Sequence, residues 1–300
     1  METRTVDVAI IGAGTAGLNA RRAVEKAGGQ PLLIESGVYG TTCARVGCMP
    51  SKLLIAAADV AHEVASADGF GIEVPDWQID GARVLTRVQR ERDRFAGMVA
   101  ANTEALPAEQ RLFGHARFTG PTTLEVDDHT RVEARAVVIA SGSSPFIPPP
   151  FDAISADLLT SDNLFEQKTL PESLAVIGTG IIGLELGQAL QRLGVRVTFF
   201  NPFNELGPFT DPVVEQAAHA ILAAELDLQL QSSVQSATRV AAGVELRYVD
   251  QAGSEHTAVF EKVLVAAGRR PNIADLNLAS TGLQLDERGF PVWDPRTTQA

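Results

Sequence analysis

The stretch that decides the fold is Val6-Asp7-Val8-Ala9-Ile10-Ile11-Gly12-Ala13-Gly14-Thr15-Ala16-Gly17. Its first half is a short apolar run rich in β-branched residues, the pattern of a buried strand. Its second half places three glycines at G-x-G-x-x-G spacing. Leu18 to Ala27 then reads as a helix, which Gly28-Gly29 stops. A second apolar run, Pro31-Leu32-Leu33-Ile34, ends in Glu35. The order is strand, glycine turn, helix, strand, acid.

The same order returns further along. Leu174-Ala175-Val176-Ile177 leads into Gly178-Thr179-Gly180-Ile181-Ile182-Gly183, a helix is expected over Leu184–Leu193, Gly194 stops it, and Val195 to Phe200 is the next strand. Glu35 lies 23 positions after Gly12, and Asn201 lies 23 positions after Gly178. In such a unit the first glycine makes a tight turn, the second lets backbone approach a pyrophosphate, and the third lets helix and strand pack closely. The phosphates sit on the helix N-terminus, where N–H groups and the helix dipole favour anions. An acid about 20 residues on accepts hydrogen bonds from ribose hydroxyls. One such motif is a weak signal, because glycine turns are common. Two in register, each between a strand and a helix, indicate two dinucleotide sites. FAD and a nicotinamide nucleotide are the usual pair for electron relay.

Bulk composition narrows the class. At 300 residues, 45% hydrophobic and 21% charged, the chain has the make-up of a soluble globular protein of two domains. A net charge of −12 repels the nucleic-acid backbone, so no nucleic-acid partner is expected. No apolar stretch approaches the roughly 18 residues of a membrane span, and the N-terminus is no secretory signal. A cytoplasmic protein is expected.

Only two cysteines occur, Cys43 and Cys48. A secreted disulfide scaffold would carry more. A zinc site would need further ligands nearby, and the nearest histidine is His62, so no metal site is expected. On a regular helix, residues five apart have Cα atoms roughly 8 to 9 Å apart, whereas a disulfide needs less than about 7 Å. If the pair bridges, the helix start must be distorted, and Gly47 and Pro50 permit this. Leu53 to Ala67 continues as an alanine-rich helix.

The segment Gly40-Thr41-Thr42-Cys43-Ala44-Arg45-Val46-Gly47-Cys48-Met49-Pro50-Ser51-Lys52 resembles the active-site signature of the pyridine nucleotide–disulfide oxidoreductases. Three further segments are similar to that family in the expected order. Gly114-His115-Ala116-Arg117-Phe118 resembles the part whose backbone meets the adenine of FAD. Val137 to Pro145, containing Ser141 and Gly142, resembles the crossing from flavin to nicotinamide domain, and Ala267-Gly268-Arg269-Arg270-Pro271-Asn272 the return. Pro50-Ser51-Lys52 and Gly183-Leu184-Glu185-Leu186-Gly187 are most similar to dihydrolipoamide dehydrogenases. Gly183 resembles NAD-using members. Asn201 departs from the pattern, standing where such members usually have Glu, and no arginine cluster follows to hold a 2′-phosphate. NAD is expected and NADP is not excluded. A neutral Asn201 implies a weaker NAD preference than Glu would give, and Asn201→Glu is expected to sharpen it.

The resemblance implies two Rossmann-like, three-layer α/β domains binding FAD and NAD(P), the second inserted into the first. The expected boundaries are residues 1–148 plus 274–300 for an incomplete FAD domain and 149–273 for the nicotinamide domain. It implies that Cys48 exchanges electrons with the flavin, that Cys43 exchanges with the substrate through a mixed disulfide, and that Lys52, paired with Glu185, stands beside the flavin. The expected FAD contacts are Gly12, Gly14, Gly17, Glu35, Thr42, Lys52, His115, Ala116, Ser141 and Gly142. The expected nicotinamide-side contacts are Gly178, Gly180, Gly183, Asn201, Gly268 and Arg269. The implied reaction is dihydrolipoamide with NAD+ to lipoamide and NADH. The alternatives are another disulfide or mercuric reductase of this family, or a non-catalytic FAD-binding fragment.

The family's catalytic histidine precedes a proline. None of His62, His115, His129, His219 and His256 does, so all five are expected to be surface or structural residues. Phe290-Pro291-Val292-Trp293 reads as strand-like. The second flavin motif and the dimerisation domain are expected to be absent, the full-length form to be a homodimer, and the truncated chain to be inactive with a disulfide substrate. A low-molecular-weight thioredoxin reductase is rejected, because no cysteine follows Cys48.

Overall fold

The computed structural model describes the backbone of residues 1–300 and the side chains of all of them except 155–157. Contacts divide the chain into two compact units. The first comprises Met1–Cys43, Phe95–Ser144 and Pro271–Ala300, and the second Ala44–Arg94 and Pro145–Arg270. Each is built on its own sheet, mixed in the first unit and parallel in the second, with helices against it, which makes the fold α/β with the second dinucleotide-type domain inserted into the first.

In the first unit the six-stranded sheet runs, edge to edge, Arg111–Phe113, Pro31–Glu35, Glu2–Ile11, Thr130–Ile139, Thr123–Val126 and Ala116–Phe118. The first four are mutually parallel, and the last two continue as an antiparallel meander. The chain leaves Glu2–Ile11 toward one edge and returns on its other side at Thr130–Ile139. Ligands of open α/β sheets bind beside such a switch point, at the carboxyl ends of the strands. The helix Thr15–Lys26 starts there.

The second unit repeats the plan. Its main sheet, entirely parallel, runs Asp227–Leu230, Arg196–Asn201, Ser173–Ile177, Lys262–Val265 and Leu158–Leu159. Its switch point lies between Ser173–Ile177 and Lys262–Val265, where the helix Ile181–Arg192 begins. The residues of Ser173–Ile177 are all buried, as a strand covered on both faces requires. A separate antiparallel sheet, Ser233–Val240, Gly243–Val249 and Glu255–Phe260, completes the unit.

The helix Cys48–Ser66 belongs to this second unit. Its Leu54, Ala58 and Ala61 share one buried cluster with Leu186, Ala189 and Leu190 of Ile181–Arg192. Each fully buried leucine contributes about 1.5–3 kcal/mol, so this seam fixes the pair of helices. Arg192 adds an ion pair at each side, Nη1 at 3.0 Å from Asp59 Oδ1 and Nε at 2.6 Å from Glu225 Oε1.

The alanine-rich helix starts at Cys48, directly after Gly47. One local expectation changes. Phe290–Trp293 forms no strand: a single bridge joins Leu285 to Pro291, because Pro291 has no N–H to extend a ladder. Among the described residues, no helix is long and apolar enough to cross a membrane.

Candidate functional site

The two glycine turns are near-superposable in conformation. Gly12 has φ +107° and Gly178 φ +108°, in the left-handed region that glycine alone enters cheaply. A Cβ at Gly12 would lie 2.3 Å from the Ala140 carbonyl oxygen, and one at Gly178 would lie 2.6 Å from that of Ala266. A Cβ at Gly17 or Gly183 would lie 1.9 or 2.2 Å from the carbonyl oxygen of the turn's first glycine. The middle glycines differ. Around a Cβ at Gly14 or Gly180 there is no atom within 4 Å. Packing inside the protein therefore does not require them, and the space they leave faces a helix start. No side chain caps either helix, so the first-turn N–H groups are open to an anion. These residues fit a dinucleotide pyrophosphate at each turn.

The acid positions behave differently in the two copies. In the first, Glu35 Oε2 accepts from Ala13 N at 2.7 Å, while Oε1 accepts from Ser36 N at 2.9 Å and Gly37 N at 2.8 Å. In the second, Asn201 Nδ2 donates to Thr179 Oγ1 at 2.5 Å and to the Glu205 carbonyl at 2.9 Å. Thr179 Oγ1 also donates to that carbonyl at 2.6 Å. Thr179 was not singled out from the sequence. The available signal was a hydroxyl at the turn position that Ala13 occupies in the first copy.

On the rest of the first unit, Gly114 has φ +146°. The N–H of His115 donates to Asp127 Oδ1 at 3.2 Å, and its C=O accepts from Asp127 N at 2.9 Å. In an antiparallel ladder the next residue points the other way, so Ala116 turns its N–H and C=O to the open edge of the sheet. Its backbone is thus the part of this segment available to a base. Ser141 and Gly142 are held by Asn272, whose Nδ2 donates to Ser141 O at 3.1 Å and whose N–H donates to Gly142 O at 3.0 Å.

The cysteines stand on two helical pieces, Cys43 in Thr42–Arg45 and Cys48 at the start of Cys48–Ser66. Gly47 breaks the helix between them with φ −118° and ψ −115°. Thr41 has φ +60°, a conformation that costs a β-branched residue about 1–3 kcal/mol and that clusters at functional sites. Cys43 is half-buried and Cys48 exposed. Lys52 follows Cys48 by one helical turn on the same face. Its Nζ lies 2.6 Å from Glu185 Oε1, one turn into the helix after the second glycine motif.

That second motif opens into a cleft of about 750 Å³. Gly178–Ile182 form one wall, Asn201, Pro202 and Phe203 another, and Ala266–Arg269 a third. Gly268 has φ +112° and accepts from Phe146 N at 2.9 Å. Arg269 Nη1 donates to Ser161 Oγ and Asp162 Oδ1, both at 2.9 Å.

The chain matches the family described as pyridine nucleotide-disulphide oxidoreductase over residues 6–299. It belongs to that family. Among similar proteins, the dihydrolipoyl dehydrogenase of Thermus scotoductus is 34% identical over 299 residues, covering 96% of this chain and 62% of that protein. The mercuric reductase of Lysinibacillus sphaericus is 31% identical over 286 residues, covering 93% of this chain and 51% of that protein. In structure, the HOCl-induced flavoprotein disulfide reductase RclA from Escherichia coli, solved as a Cu(II) complex, aligns with a TM-score of 0.81 at 25% identity, over 98% of this chain and 63% of that one. The chain thus spans between about half and two thirds of the length of these relatives.

Among the described residues, two histidines have acidic partners. His256 Nε2 lies 2.7 Å from Asp250 Oδ2, and His129 Nε2 lies 3.7 Å from Asp127 Oδ2. Among the described residues, no group of three or more His, Cys, Asp or Glu is placed to hold a metal ion.

Proposed function

We propose that this oxidoreductase relays electrons between NAD(H), FAD and the Cys43–Cys48 pair, with lipoamide as the disulfide partner. FAD belongs to the first glycine turn with Glu35, Ala116, Ser141 and Gly142, and the nicotinamide nucleotide to the second turn and its cleft. The boundaries near residues 148 and 274 belong to this reading.

One observation carries it. Cys48 and Lys52 share a face at the start of the helix that packs beside the second glycine unit, and Lys52 is held by Glu185 of that unit. FAD and the nicotinamide nucleotide supply hydride and electron transfer when bound. The chain's own part is to hold them on two uncapped helix N-termini, to keep a cation one turn from Cys48, and to exchange sulfur bonds. The Cys43 thiolate attacks a disulfide sulfur, one substrate sulfur leaves as thiolate, and Cys48 then displaces the second to close the Cys43–Cys48 disulfide. The nearby ammonium of Lys52 favours thiolate over thiol. NAD is favoured over NADP because, among the described residues, the one cationic side chain lining the cleft is Arg269, which is bound to Ser161 and Asp162.

The mercuric reductase likeness supports a second reading, in which the dithiol acts on a soft metal ion. The test supplies the purified chain with FAD and NADH and measures NADH oxidation with lipoamide, glutathione disulfide and Hg(II) in parallel. NADH oxidation with an artificial acceptor is expected, with turnover of all three near background and lipoamide the fastest of them. NADH oxidation with an artificial acceptor, combined with no reduction of any of the three, would leave a flavin-binding protein without disulfide turnover.

A further inference from the structure

The wiring around Asn201 leads away from the ribose. Both hydrogens of its Nδ2 are committed, one to Thr179 Oγ1 and one to the Glu205 carbonyl. Its Oδ1 accepts from the backbone N–H of Phe203 at 3.3 Å. Thr179, itself buried, also ties Gly207 N to its carbonyl oxygen at 2.8 Å. Asn201–Gly207 is therefore laced to the glycine turn at both ends. The side chain this lacing holds out is Phe203, which is 63% exposed and lines the cleft beside Asn201 and Pro202. A phenylalanine ring left that open in a cleft is an apolar surface awaiting a planar partner. Both ends of a nicotinamide dinucleotide carry a planar ring, and the end of the second strand, where Asn201 stands, is the place of the adenosine ribose in such a unit, so the ring nearest Phe203 is adenine.

We propose that Phe203 is the surface on which the adenine of the nicotinamide nucleotide stacks, and that Asn201 is a positioning residue that presents Phe203 rather than a reader of the ribose. The proposal rests on the assignment of this cleft to the nicotinamide nucleotide. It reverses one expectation drawn from the sequence. Asn201→Glu does not sharpen selection of NAD, because a carboxylate at 201 faces the Glu205 carbonyl oxygen with no hydrogen to give it, and the loop loses its tie.

The test is equilibrium binding to the full chain by nucleotide fluorescence, using NADH and reduced nicotinamide mononucleotide, which lacks adenine. Stacking one base on an aromatic ring is worth roughly fivefold in affinity at the lower end of its range and more above it. Phe203→Ala is expected to lower the ratio of NADH to mononucleotide affinity about tenfold, and Phe203→Tyr is expected to restore it. Asn201→Asp, isosteric but without the two donors, is expected to lower the same ratio. Combining it with Phe203→Ala is expected to add little further, since both act through one ring. A ratio unchanged in Phe203→Ala, with NADH bound by the parent chain, would overturn the stacking while leaving the site assignment standing. Full additivity of the two substitutions would overturn the positioning role. If the parent chain binds neither nucleotide, the site assignment itself is wrong and the stacking falls with it.

Discussion

Lys52 and Glu185 meet at 2.6 Å, and seven residues further along both helices the contact repeats with its charges reversed, as Asp59 with Arg192 at 3.0 Å. The two pairs are two helical turns apart on each strand of the seam. They differ in exposure. Lys52 and Glu185 are 59% and 36% exposed, whereas Arg192 is 21% exposed against an Asp59 that is 51% exposed. The first is a surface pair, and such pairs contribute about 0–1 kcal/mol. The second is tied into Glu225 and the buried seam. The stabilising clamp therefore sits at Arg192.

Lys52→Ala and Glu185→Gln should then separate stability from function. Urea unfolding is expected to shift by less than about 1 kcal/mol. NADH oxidation with an artificial acceptor, at saturating FAD, is expected to fall roughly tenfold or more, since a preorganised charge at the reacting centre is lost. A large loss of stability at an unchanged rate would make the pair structural.

Glu225 offers the pH counterpart. Its hydrogen bonds with Arg192 hold its carboxyl below the usual carboxylate range, outweighing the opposing effect of partial burial. A carboxyl lowered on folding stabilises the protein fully above its unfolded value of about 4.3, and that contribution disappears as pH falls through the folded value. Denaturant unfolding at pH 7 is expected to show Glu225→Gln less stable by about 1–2 kcal/mol. The gap between parent and variant is expected to close as pH falls from about 5 toward 3. A gap that stays constant over this window would place its origin elsewhere.

The glycine turns predict opposite outcomes two residues apart. Gly178→Ala forces a left-handed backbone and a Cβ 2.6 Å from the Ala266 carbonyl oxygen, so the chain should lose about 2–4 kcal/mol. Gly180→Ala meets nothing within 4 Å and should fold as the parent does, yet bind NADH at least tenfold more weakly because the methyl occupies phosphate space. Thermal unfolding and NADH titration of both variants decide it. Unimpaired NADH binding by Gly180→Ala would remove the second turn from the nucleotide site.

The cysteine pair is tested by substitution and trapping. Cys48→Ser leaves Cys43 able to attack a disulfide but without the thiol that resolves the intermediate, so a mixed disulfide should accumulate and register by mass. Cys43→Ser should form none. Accumulation in both variants would make the two cysteines interchangeable.

What the sequence determined by itself is the pair of strand–glycine–helix units and the placement of the glycines. These follow from local sterics, since a tight turn needs φ above zero at Gly12 and Gly178, and helix-to-turn packing leaves no room for a side chain at Gly17 and Gly183. The approach of Lys52 to Glu185 was also legible, though only through resemblance, because the residues are 133 positions apart and no local pattern joins them. Tertiary structure alone decided the rest. It grouped Ala44–Arg94 with the second unit, because the apolar face of Cys48–Ser66 is buried against Ile181–Arg192. It directed the amide of Asn201 to Thr179 and Glu205. An asparagine has the same letter whether its hydrogens face a ligand or a carbonyl, and only the path of the loop after the strand determines which.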